Sequence, residues 1–316
     1  MDRSRVDGGG PFDRGMLQRS LGAPIAAVHE LASPRSTSYP VRHLVIDFDD
    51  GRTVEVFHKN FDISPHRTDV ALSRGKRECF VYEKLLAGRQ LGTPELYGVV
   101  WDDDVDCHWL LLEFVHGHKL RHDPAEERVG AARWLGQLHR RVEAVGLEGP
   151  LLRYDRTYFA DVADHACSAV GERFPDLKQQ LQKSLINYET VIDRICTGEQ
   201  ALVHGSYRAK NIIVNDAKPI RICPADWELA AIGPQLHDLA FLADGCDPQL
   251  IEQLCLAYSD TAGRRSFDRD QMLQDIDRLR LHKALRSLAR SFQWDYPRAT
   301  VAKLIARVER IRNHLD

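Results

Sequence analysis

Two runs of apolar and β-branched residues early in the chain alternate with polar positions and predict paired strands. VRHLVIDF begins at Val41, TVEVFHKNF begins at Thr53, and Asp49-Asp50-Gly51 lies between them. An Asp-Gly turn between two such runs is typical of an antiparallel hairpin. A second pair, ELYGVVW and HWLLLEFV, is separated by the acidic segment DDDVDC. We therefore expect a small antiparallel sheet in the first part of the chain.

The rest of the pattern is mainly helical. Between the strand pairs, SRGKRECFVYEKLLAG predicts one amphipathic helix that ends near Gly88. After Gly117, EERVGAARWLGQLHRRVEAV and PDLKQQLQKSLINYETVIDRICTG each predict a helix, and three more are expected from His237 onward. The short runs ALVHG, IIV and IRICPADW predict strands within this helical part.

These changes of pattern predict three regions. Residues 1–20 are charged and glycine-rich, so they have little to bury and are expected to be a disordered tail. Residues 21–116 are expected to form a sheet-rich N-lobe with one helix. Residues 117–316 are expected to form a larger, helical C-lobe.

Composition and charge exclude several classes of function. The seven cysteines form no C-x-x-C pair, which argues against zinc or redox motifs and for reduced cytosolic thiols. The net charge is −3 with both signs interspersed, so no dense basic face predicts nucleic-acid binding. No apolar run reaches the roughly 20 residues of a membrane span, and no secretory signal is evident. We expect a cytoplasmic monomer or homodimer without nucleic-acid or membrane partners.

One group of motifs carries candidate chemistry. HGSYRAKN begins at His204 and ends at Asn211, the run IIV follows, and ADWE contains Asp226. Asn211 offers a neutral oxygen and Asp226 a carboxylate, and Mg²⁺ prefers such hard ligands as a supplement to phosphate oxygens. The sequence therefore predicts a magnesium site built from these two side chains. A later segment, GPQLHDLA, contains Asp238 at a predicted helix start.

The order of lobes and motifs resembles the aminoglycoside phosphotransferase and choline kinase-like family over about residues 25–300. HGSYRAKN resembles the family's catalytic loop H-G-D-x-x-x-x-N, ADWE its metal segment, and GPQLHDLA its G-P-x-x-x-D-L-A element. The resemblance implies an α+β, bilobal protein-kinase-like fold with ATP and Mg²⁺ in a cleft between the lobes. It implies transfer of the γ-phosphate to a hydroxyl of a small molecule, an antibiotic or a metabolite, so antibiotic resistance is one candidate role. His204 and Asp238 would support the loop.

The resemblance also implies nucleotide-binding residues in the N-lobe. Lys59 would contact the α- and β-phosphates while Glu78 holds it by an ion pair. Glu83 on the same predicted helix is the rival for that role.

Further nucleotide contacts are implied on either side of these residues. Backbone groups from Glu113 to Val115 would hydrogen-bond the adenine edge. Ser36 and Ser38 would lie in the turn that covers the phosphates, where hydroxyl groups and backbone amides replace the usual glycines.

One position departs from the family pattern. Ser206 stands where the family has its catalytic aspartate, and a serine cannot act as a carboxylate base. Arg208 and Lys210 follow and could neutralise charge that develops on the transferred phosphate. Ser206 would then orient the acceptor hydroxyl, or Asp244 would supply the missing carboxylate. The alternatives are a pseudokinase that binds nucleotide or another ligand without transfer, and a pseudokinase that transfers a nucleotidyl group from inverted ATP.

Other patterns have simpler explanations. The segment from Asp102 to Cys107 nearly satisfies a calcium loop, but Cys107 stands where the turn needs glycine, so a solvated acidic hairpin is expected. His116 and His118 flank Gly117 without a third metal ligand at suitable spacing. The C-lobe also carries acidic side chains that would suit a cationic acceptor if they are not structural. These are Glu228, Asp238, Asp244 and Asp247.

Overall fold

The computed structural model describes residues 4–5, 14–32, 39–62, 69–104, 107–121, 124–144, 146–216, 218–263 and 268–315. The chain divides into two compact units. Unit 1 contains Met1–Lys119 and Asn211–Leu229, and unit 2 contains Leu120–Lys210 and Ala230–Asp316. The expected boundary near residue 117 lies close to the first division, but the segment Asn211–Leu229 belongs to unit 1, whereas the sequence predicted it in the helical lobe.

The described residues form twelve strands and ten α-helices. The strands are β1 (Ser4–Arg5), β2 (Ile25–Leu31), β3 (Val41–Phe48), β4 (Thr53–Asn60), β5 (Leu96–Asp102), β6 (Cys107–Glu113), β7 (His118–Lys119), β8 (Leu152–Arg153), β9 (Gln200–Val203), β10 (Ile212–Asn215), β11 (Arg221–Pro224) and β12 (Ala231–Pro234). The helices are α1 (Arg14–Leu21), α2 (Asp69–Phe80), α3 (Ala125–Arg141), α4 (Arg156–Arg173), α5 (Pro175–Ser184), α6 (Tyr188–Cys196), α7 (His237–Leu242), α8 (Pro248–Ala262), α9 (Arg269–Ala289) and α10 (Arg298–Leu315).

The main sheet of unit 1 contains both predicted strand pairs. Its strands are antiparallel and lie in the order β1-β2-β3-β4-β6-β5. Asp47 pairs with Thr53 across the Asp-Gly turn, so the predicted hairpin is confirmed. Lys59 near the end of β4 pairs with Val41 on one side and Leu110 on the other. This register places Lys59 in the interior of the sheet.

Helix α1 corrects the prediction of a disordered tail. Leu17 on α1 is fully buried and packs with Ile25, Leu44 and Leu111 in the core of unit 1. Burying a leucine side chain contributes about 1.5–3 kcal/mol, which offsets part of the cost of ordering this short helix, about 1–2 kcal/mol per residue. The prediction is therefore wrong for residues 14–20, because their apolar side finds a partner only once the sheet has formed.

Helix α2 approaches the end of β4 closely. It continues into a π-helical segment, Val81–Leu86, where the sequence predicted one regular helix ending near Gly88. A Cβ atom on Gly75 would lie 2.8 Å from the ring of Phe61, so a side chain at this position would push the helix away. The glycine lets α2 carry Glu78 close to β4.

A second, small sheet explains why Asn211–Leu229 joins unit 1. Strand β10 pairs antiparallel with β11 and with β7, and Ile213 faces Lys119. Gly117, just before β7, has φ 152°, and a Cβ atom there would overlap the carbonyl oxygen of Val214. Only glycine fits this backbone approach.

Unit 2 is built mainly of helices. Helix α3 packs on α8 and α4 packs on α9. Strand β12 pairs antiparallel with β9 and parallel with β8 in a small sheet. Fully buried apolar residues of the core include Leu135, Leu138, Phe159, Leu254, Tyr258 and Leu285.

The helix predictions for unit 2 need three corrections. The run expected as one helix forms α5 and α6, because Asn187 between them adopts a left-handed conformation with φ 59°. Helix α4 was not predicted. Four helices, α7 to α10, begin at or after His237, where three were expected. Among the described residues, no helix is both long and apolar enough to span a membrane.

Candidate active site

Lys59 lies at the centre of a buried charge cluster in unit 1. Its Nζ is 2.6 Å from Oε2 of Glu78 on α2 and 3.1 Å from Oδ1 of Asp226. Lys59 and Glu78 are 1% and 2% exposed, whereas the side chain of Asp226 is 31% exposed. Glu83, the rival of Glu78, is exposed and pairs with Lys84. The structure thus brings together three side chains that the sequence singled out separately.

The cluster contains more carboxylates than cations. Burial alone would lower the pKa of Lys59, but Glu78, Asp226 and Glu228 raise it above its usual range. Burial raises the pKa of Glu78 to about 7, with Lys59 lowering it and Asp226 raising it. Lys59 is therefore a cation that faces an excess of negative charge. A divalent cation beside Asp226 would balance this excess, so the surroundings fit the predicted magnesium site.

Asn211 and Asp226, the expected magnesium ligands, stand at the same end of the β10–β11 hairpin. The amide of Ala225 donates to the carbonyl of Asn211 at 2.9 Å. Asp226 has φ 71°. A left-handed conformation is uncommon for a residue other than glycine, and such residues cluster at functional sites. The amide oxygen and the carboxylate form a donor set that suits Mg²⁺, with water and phosphate oxygens completing it.

Arg77 was not predicted, although it precedes Glu78 in the sequence. Its guanidinium donates to the carbonyl of Glu228 at 2.5 Å and thereby ties α2 to the segment that carries Asp226. Adjacent residues on a helix point in different directions, so the sequence pattern could not assign Arg77 a partner.

Two aromatic rings border the cluster. Nζ of Lys59 lies 5.0 Å from the centroid of Tyr39 and 5.6 Å from that of Phe61. Aromatic faces attract a cation, so both rings favour the charged lysine. Ser36 and Ser38, which were expected to cover the phosphates, lie outside the described residues.

Glu113 and Val115 belong to the segment expected to bind adenine. The amide of Glu113 donates to the carbonyl of Glu95 at 2.8 Å. Both carboxylate oxygens of Glu113 accept from Arg221, each at 2.6 Å. The side chain of Glu113 therefore has a structural task within unit 1. The segment can bind adenine only through its other backbone groups, including those of the buried Val115, and this binding stays a prediction.

In unit 2, Asp238 at the start of α7 holds the loop that begins at His204. Its carboxylate accepts hydrogen bonds from the amides of His204 and Gly205, the second at 3.1 Å, and lies 3.2 Å from Nδ1 of His237. Asp238 is fully buried. Burial would raise the pKa of Asp238, but His237 and the loop hold it below its usual value. A charged carboxylate with two amide donors fixes the loop backbone.

Ser206, Arg208 and Lys210 follow on the same loop. The hydroxyl of Ser206 accepts from Nε of Arg208 at 3.2 Å, and Ser206 is 6% exposed. Arg286 of α9, which the sequence did not single out, donates to the carbonyl of Gly205 at 2.8 Å. Lys210 is exposed. The loop around Ser206 therefore lies among cationic side chains of unit 2.

Asp244, the hypothetical substitute base, is held by ion pairs. Its Oδ2 lies 2.6 Å from Nζ of Lys283, and its Oδ1 accepts from Arg307. Although burial raises the pKa of Asp244, these two cations lower it to about 2. A carboxylate with so low a pKa is a weak proton acceptor at neutral pH, which argues against Asp244 as the general base.

The other metal patterns gain no support. Asp102 pairs with Cys107 where β5 and β6 meet. Nε2 of His116 lies 3.1 Å from a carboxylate oxygen of Glu55. In the part of the chain that the structure describes, no three His, Cys, Asp or Glu side chains come together as a metal site.

The fold, the lysine–glutamate pair and the loop held by a buried aspartate agree with the kinase-like fold that the sequence resemblance implied. The sequence model of the phosphotransferase enzyme family (APH) matches residues 72–273. The chain therefore belongs to this family. No match was found among curated proteins.

Solved structures of kinase-like enzymes are similar to the chain over nearly its whole length. The GDP complex of aminoglycoside 2'-phosphotransferase-IIIa has 14% sequence identity and a TM-score of 0.63, with 95% of this chain and 97% of that chain covered. Choline kinase from Cryptosporidium parvum Iowa II has 12% identity and a TM-score of 0.62, with 95% and 94% covered. Macrolide 2'-phosphotransferase from Brachybacterium faecium has 17% identity and a TM-score of 0.57, with 93% and 95% covered. At these identities the similarity shows the fold alone, which is the predicted α+β, kinase-like fold.

Proposed function

We propose that the protein transfers a phosphoryl group from ATP, bound with Mg²⁺, to a hydroxyl group of a small molecule. The observation that carries this proposal is the cluster of Lys59, Glu78 and Asp226 within unit 1, in which a cation suited to phosphate lies beside a carboxylate suited to Mg²⁺. A buried ion pair is weak evidence for stability because its desolvation is costly. A functional need for a fixed lysine accounts for its presence.

Each residue of the unit 1 cluster has a proposed task. Lys59 would contact the α- and β-phosphates, and Glu78 would hold its ammonium group in place. Asn211 and Asp226 would hold Mg²⁺, which when bound neutralises charge on the phosphate oxygens. The backbone from Glu113 to Val115 would bind the adenine.

The loop of unit 2 would act on the acceptor. Ser206 would orient the acceptor hydroxyl by a hydrogen bond, and Arg208 and Lys210 would neutralise charge on the phosphoryl group in flight. Phosphoryl transfer passes through a loose transition state, so positioning and charge neutralisation contribute most of the rate. A missing base lowers the rate by about 10²–10⁴-fold, so we propose a slow enzyme.

A second candidate function, a nucleotide-binding pseudokinase, is favoured by one contact. Nε of Arg208 donates to Oγ of Ser206 at 3.2 Å and so occupies one of the two lone pairs of the hydroxyl that would orient an acceptor. The two candidates share nucleotide binding and differ in turnover.

A thermal-shift titration with ATP and MgCl₂ tests nucleotide binding, because a ligand of the native state raises its stability. We expect ATP to raise the Tm of the wild type in a magnesium-dependent manner, and Asp226→Ala to abolish the magnesium dependence. The matched control is Asp216→Ala, since Asp216 follows β10, the strand paired with the β11 that precedes Asp226, and its side chain is 73% exposed. A wild-type Tm that does not respond to ATP and Mg²⁺ would contradict the proposal.

A phosphate-transfer assay over a panel of hydroxyl compounds separates the two candidates. The proposed enzyme forms a phosphorylated acceptor, and Asn211→Ala abolishes its formation. Nucleotide binding without any phosphorylated product, and without ATP hydrolysis, would identify the pseudokinase.

A further inference from the structure

Helices α9 and α10 of unit 2 border a cavity that the proposed reaction has not used so far. Its volume is about 560 Å³, which is within the range of small-molecule sites. Its polar lining residues are Asp277, Arg280, Arg307, Arg310, Asn313 and His314.

Cations outnumber carboxylates in this lining. A carboxylate oxygen of Asp277 lies 2.9 Å from Nη1 of Arg280, and the other lies 3.9 Å from Nε2 of His314. Nε of Arg280 is buried and has no hydrogen-bond partner among the described residues. Arg310 is exposed. Guanidinium groups bind carboxylate and phosphate groups through paired hydrogen bonds, so the lining has donors suited to an anion.

Cationic side chains follow α9 from the cavity toward the loop that carries Ser206. Arg307 of the lining binds Asp244, and the same carboxylate lies 2.6 Å from Nζ of Lys283. One turn further along α9, Arg286 donates to the carbonyl of Gly205 in the loop. Positive charge therefore extends from the cavity to the loop.

The titration of Lys283 agrees with this excess of cations. Burial lowers the pKa of Lys283 to about 8, and Arg307 and Arg208 contribute to the lowering, while Asp244 opposes it.

We propose that the cavity binds an anionic carboxylate or phosphate group of a small molecule through Arg280, Arg307 and Arg310. Arg310 is exposed, and Arg280 keeps a buried Nε without a partner among the described residues, so both can donate to an anion although Arg307 already binds Asp244.

Titration calorimetry with glycerol 3-phosphate, glycerate and glycerol tests the inference without requiring turnover. These compounds share hydroxyl groups and differ in the anionic group. We expect at least one anion to bind at millimolar concentration and glycerol to bind at least tenfold more weakly, since charge-assisted hydrogen bonds of this kind are worth about that factor. The tighter anion identifies the group as phosphate or carboxylate. Equal binding of all three compounds, or no binding of either anion, would overturn the inference.

Variants locate the anion in the cavity. We expect Arg310→Gln and Arg307→Gln each to weaken anion binding about tenfold. Lys303→Gln is the matched control, because Lys303 is an exposed cation of α10 outside the lining. If the three variants weaken anion binding equally, the anion binds elsewhere and the inference is overturned.

The ATP titration distinguishes failure of this inference from failure of the proposed function. Arg310→Gln should retain the magnesium-dependent ATP shift, because the proposed nucleotide residues belong to unit 1. An intact ATP shift without anion binding overturns the inference alone. An absent ATP shift in the wild type, with anion binding intact, overturns the proposed function alone.

Discussion

Lys59 stays charged although it is almost fully buried. Two carboxylates lie within hydrogen-bonding distance of its ammonium group, and two aromatic rings border it. Removing one carboxylate would leave a buried cation with an incomplete set of partners, which costs more than the loss of a surface ion pair. Substituting Glu78 tests the ion pair alone, whereas substituting Asp226 would also affect its proposed metal binding.

We expect Glu78→Gln to lower the free energy of unfolding by roughly 2 kcal/mol, because Lys59 then keeps only Asp226 as a charged partner. It should also weaken the ATP-dependent shift in Tm. Glu83→Gln, on the following π-helical turn and exposed, should change stability by less than about 0.5 kcal/mol. Urea unfolding measures both effects. A similar decrease in the free energy of unfolding in the two variants would show that the ion pair with Glu78 does not hold Lys59.

Ser206→Asp tests whether a base is what the loop lacks. We expect the rate of ATP hydrolysis, with water as acceptor, to rise by about 10²-fold, the low end of general-base effects. The low end is expected because Arg208 lies close enough to pair with the new carboxylate. Ser206→Ala is the companion variant and should be slower than wild type if the hydroxyl orients the acceptor. Wild-type rates in both variants would rule out any role of this side chain in catalysis.

The residues predicted from the sequence were those that stand in short motifs. Asn211 and Asp226 lie in recognisable segments, and the family resemblance implied the pairing of Lys59 with Glu78. The contact of Lys59 with Asp226 was not predicted. Arg286 lies 81 residues from the carbonyl it binds in the loop. A lone arginine in an amphipathic helix has no local signal of such a contact, so the structure was needed to find it.

At the scale of elements, local signals predicted strands better than helix ends. The β3–β4 hairpin was predicted because its turn residues and strand patterns agree. The break between α5 and α6 was missed because Asn187 lies within a continuous amphipathic pattern, and only its left-handed backbone shows the break. Helix α1 was missed because it gains its stability from the sheet against which Leu17 packs.

Gly117 is the glycine on which the second sheet of unit 1 most depends. We expect Gly117→Ala to lower the free energy of unfolding by more than about 2 kcal/mol, because the new Cβ would overlap the carbonyl oxygen of Val214 in addition to straining the backbone. Gly88→Ala is the matched control. Gly88 also has a positive φ, 70°, but nothing lies within 4 Å of the added atom, so only the strain of about 1 kcal/mol remains.

Chemical unfolding of the two glycine variants gives the comparison. Because Gly117 precedes the strand that pairs with β10, its substitution should also weaken nucleotide binding through the neighbouring Asn211, whereas Gly88→Ala should not. Equal destabilisation would mean that the β7–β10 pairing relaxes around the new atom.

At the scale of the whole molecule, the chain does not divide at one boundary. It leaves unit 1 after Lys119, returns at Asn211 and leaves again after Leu229. The sequence predicted one boundary, because strand pairing between β7 and β10 joins segments that are distant in the chain. The sequence around β10 and β11 is mainly helical, so it gave no sign that these two strands belong to unit 1.

Unit 2 buries histidines in its core, and they determine how its stability responds to acid. His282 on α9 is fully buried, and neither ring nitrogen has a hydrogen-bond partner among the described residues. Its ring lies 4.5 Å from that of Phe159 and 6.3 Å from that of His237. Burial, with the charges of His237 and Arg286, lowers the pKa of His282 well below its usual value, so the native state holds it neutral.

This burial makes the protein sensitive to acid from about pH 6.5 downward. Above that pH His282 is neutral in both the native and the unfolded state, so it has no effect on the pH dependence. Below it the unfolded chain binds a proton that the native state does not, and stability falls by about 1.4 kcal/mol per pH unit until the native pKa is reached. Replacing His282 by a neutral, apolar side chain removes this proton from the unfolded state. His282→Leu should therefore lose stability more slowly than wild type as the pH falls from about 6.5, the usual histidine pKa, to about 5.

Thermal unfolding followed by circular dichroism measures the effect, since unit 2 contains most of the helices. His165→Gln is the matched control, because His165 is exposed on α4 and should leave the acid slope unchanged. Some slope should remain in His282→Leu, because burial also lowers the pKa of His237. If stability falls equally fast with decreasing pH in wild type and His282→Leu, the native state admits a proton or water at His282. This part of the core would then be packed less tightly than the structure indicates.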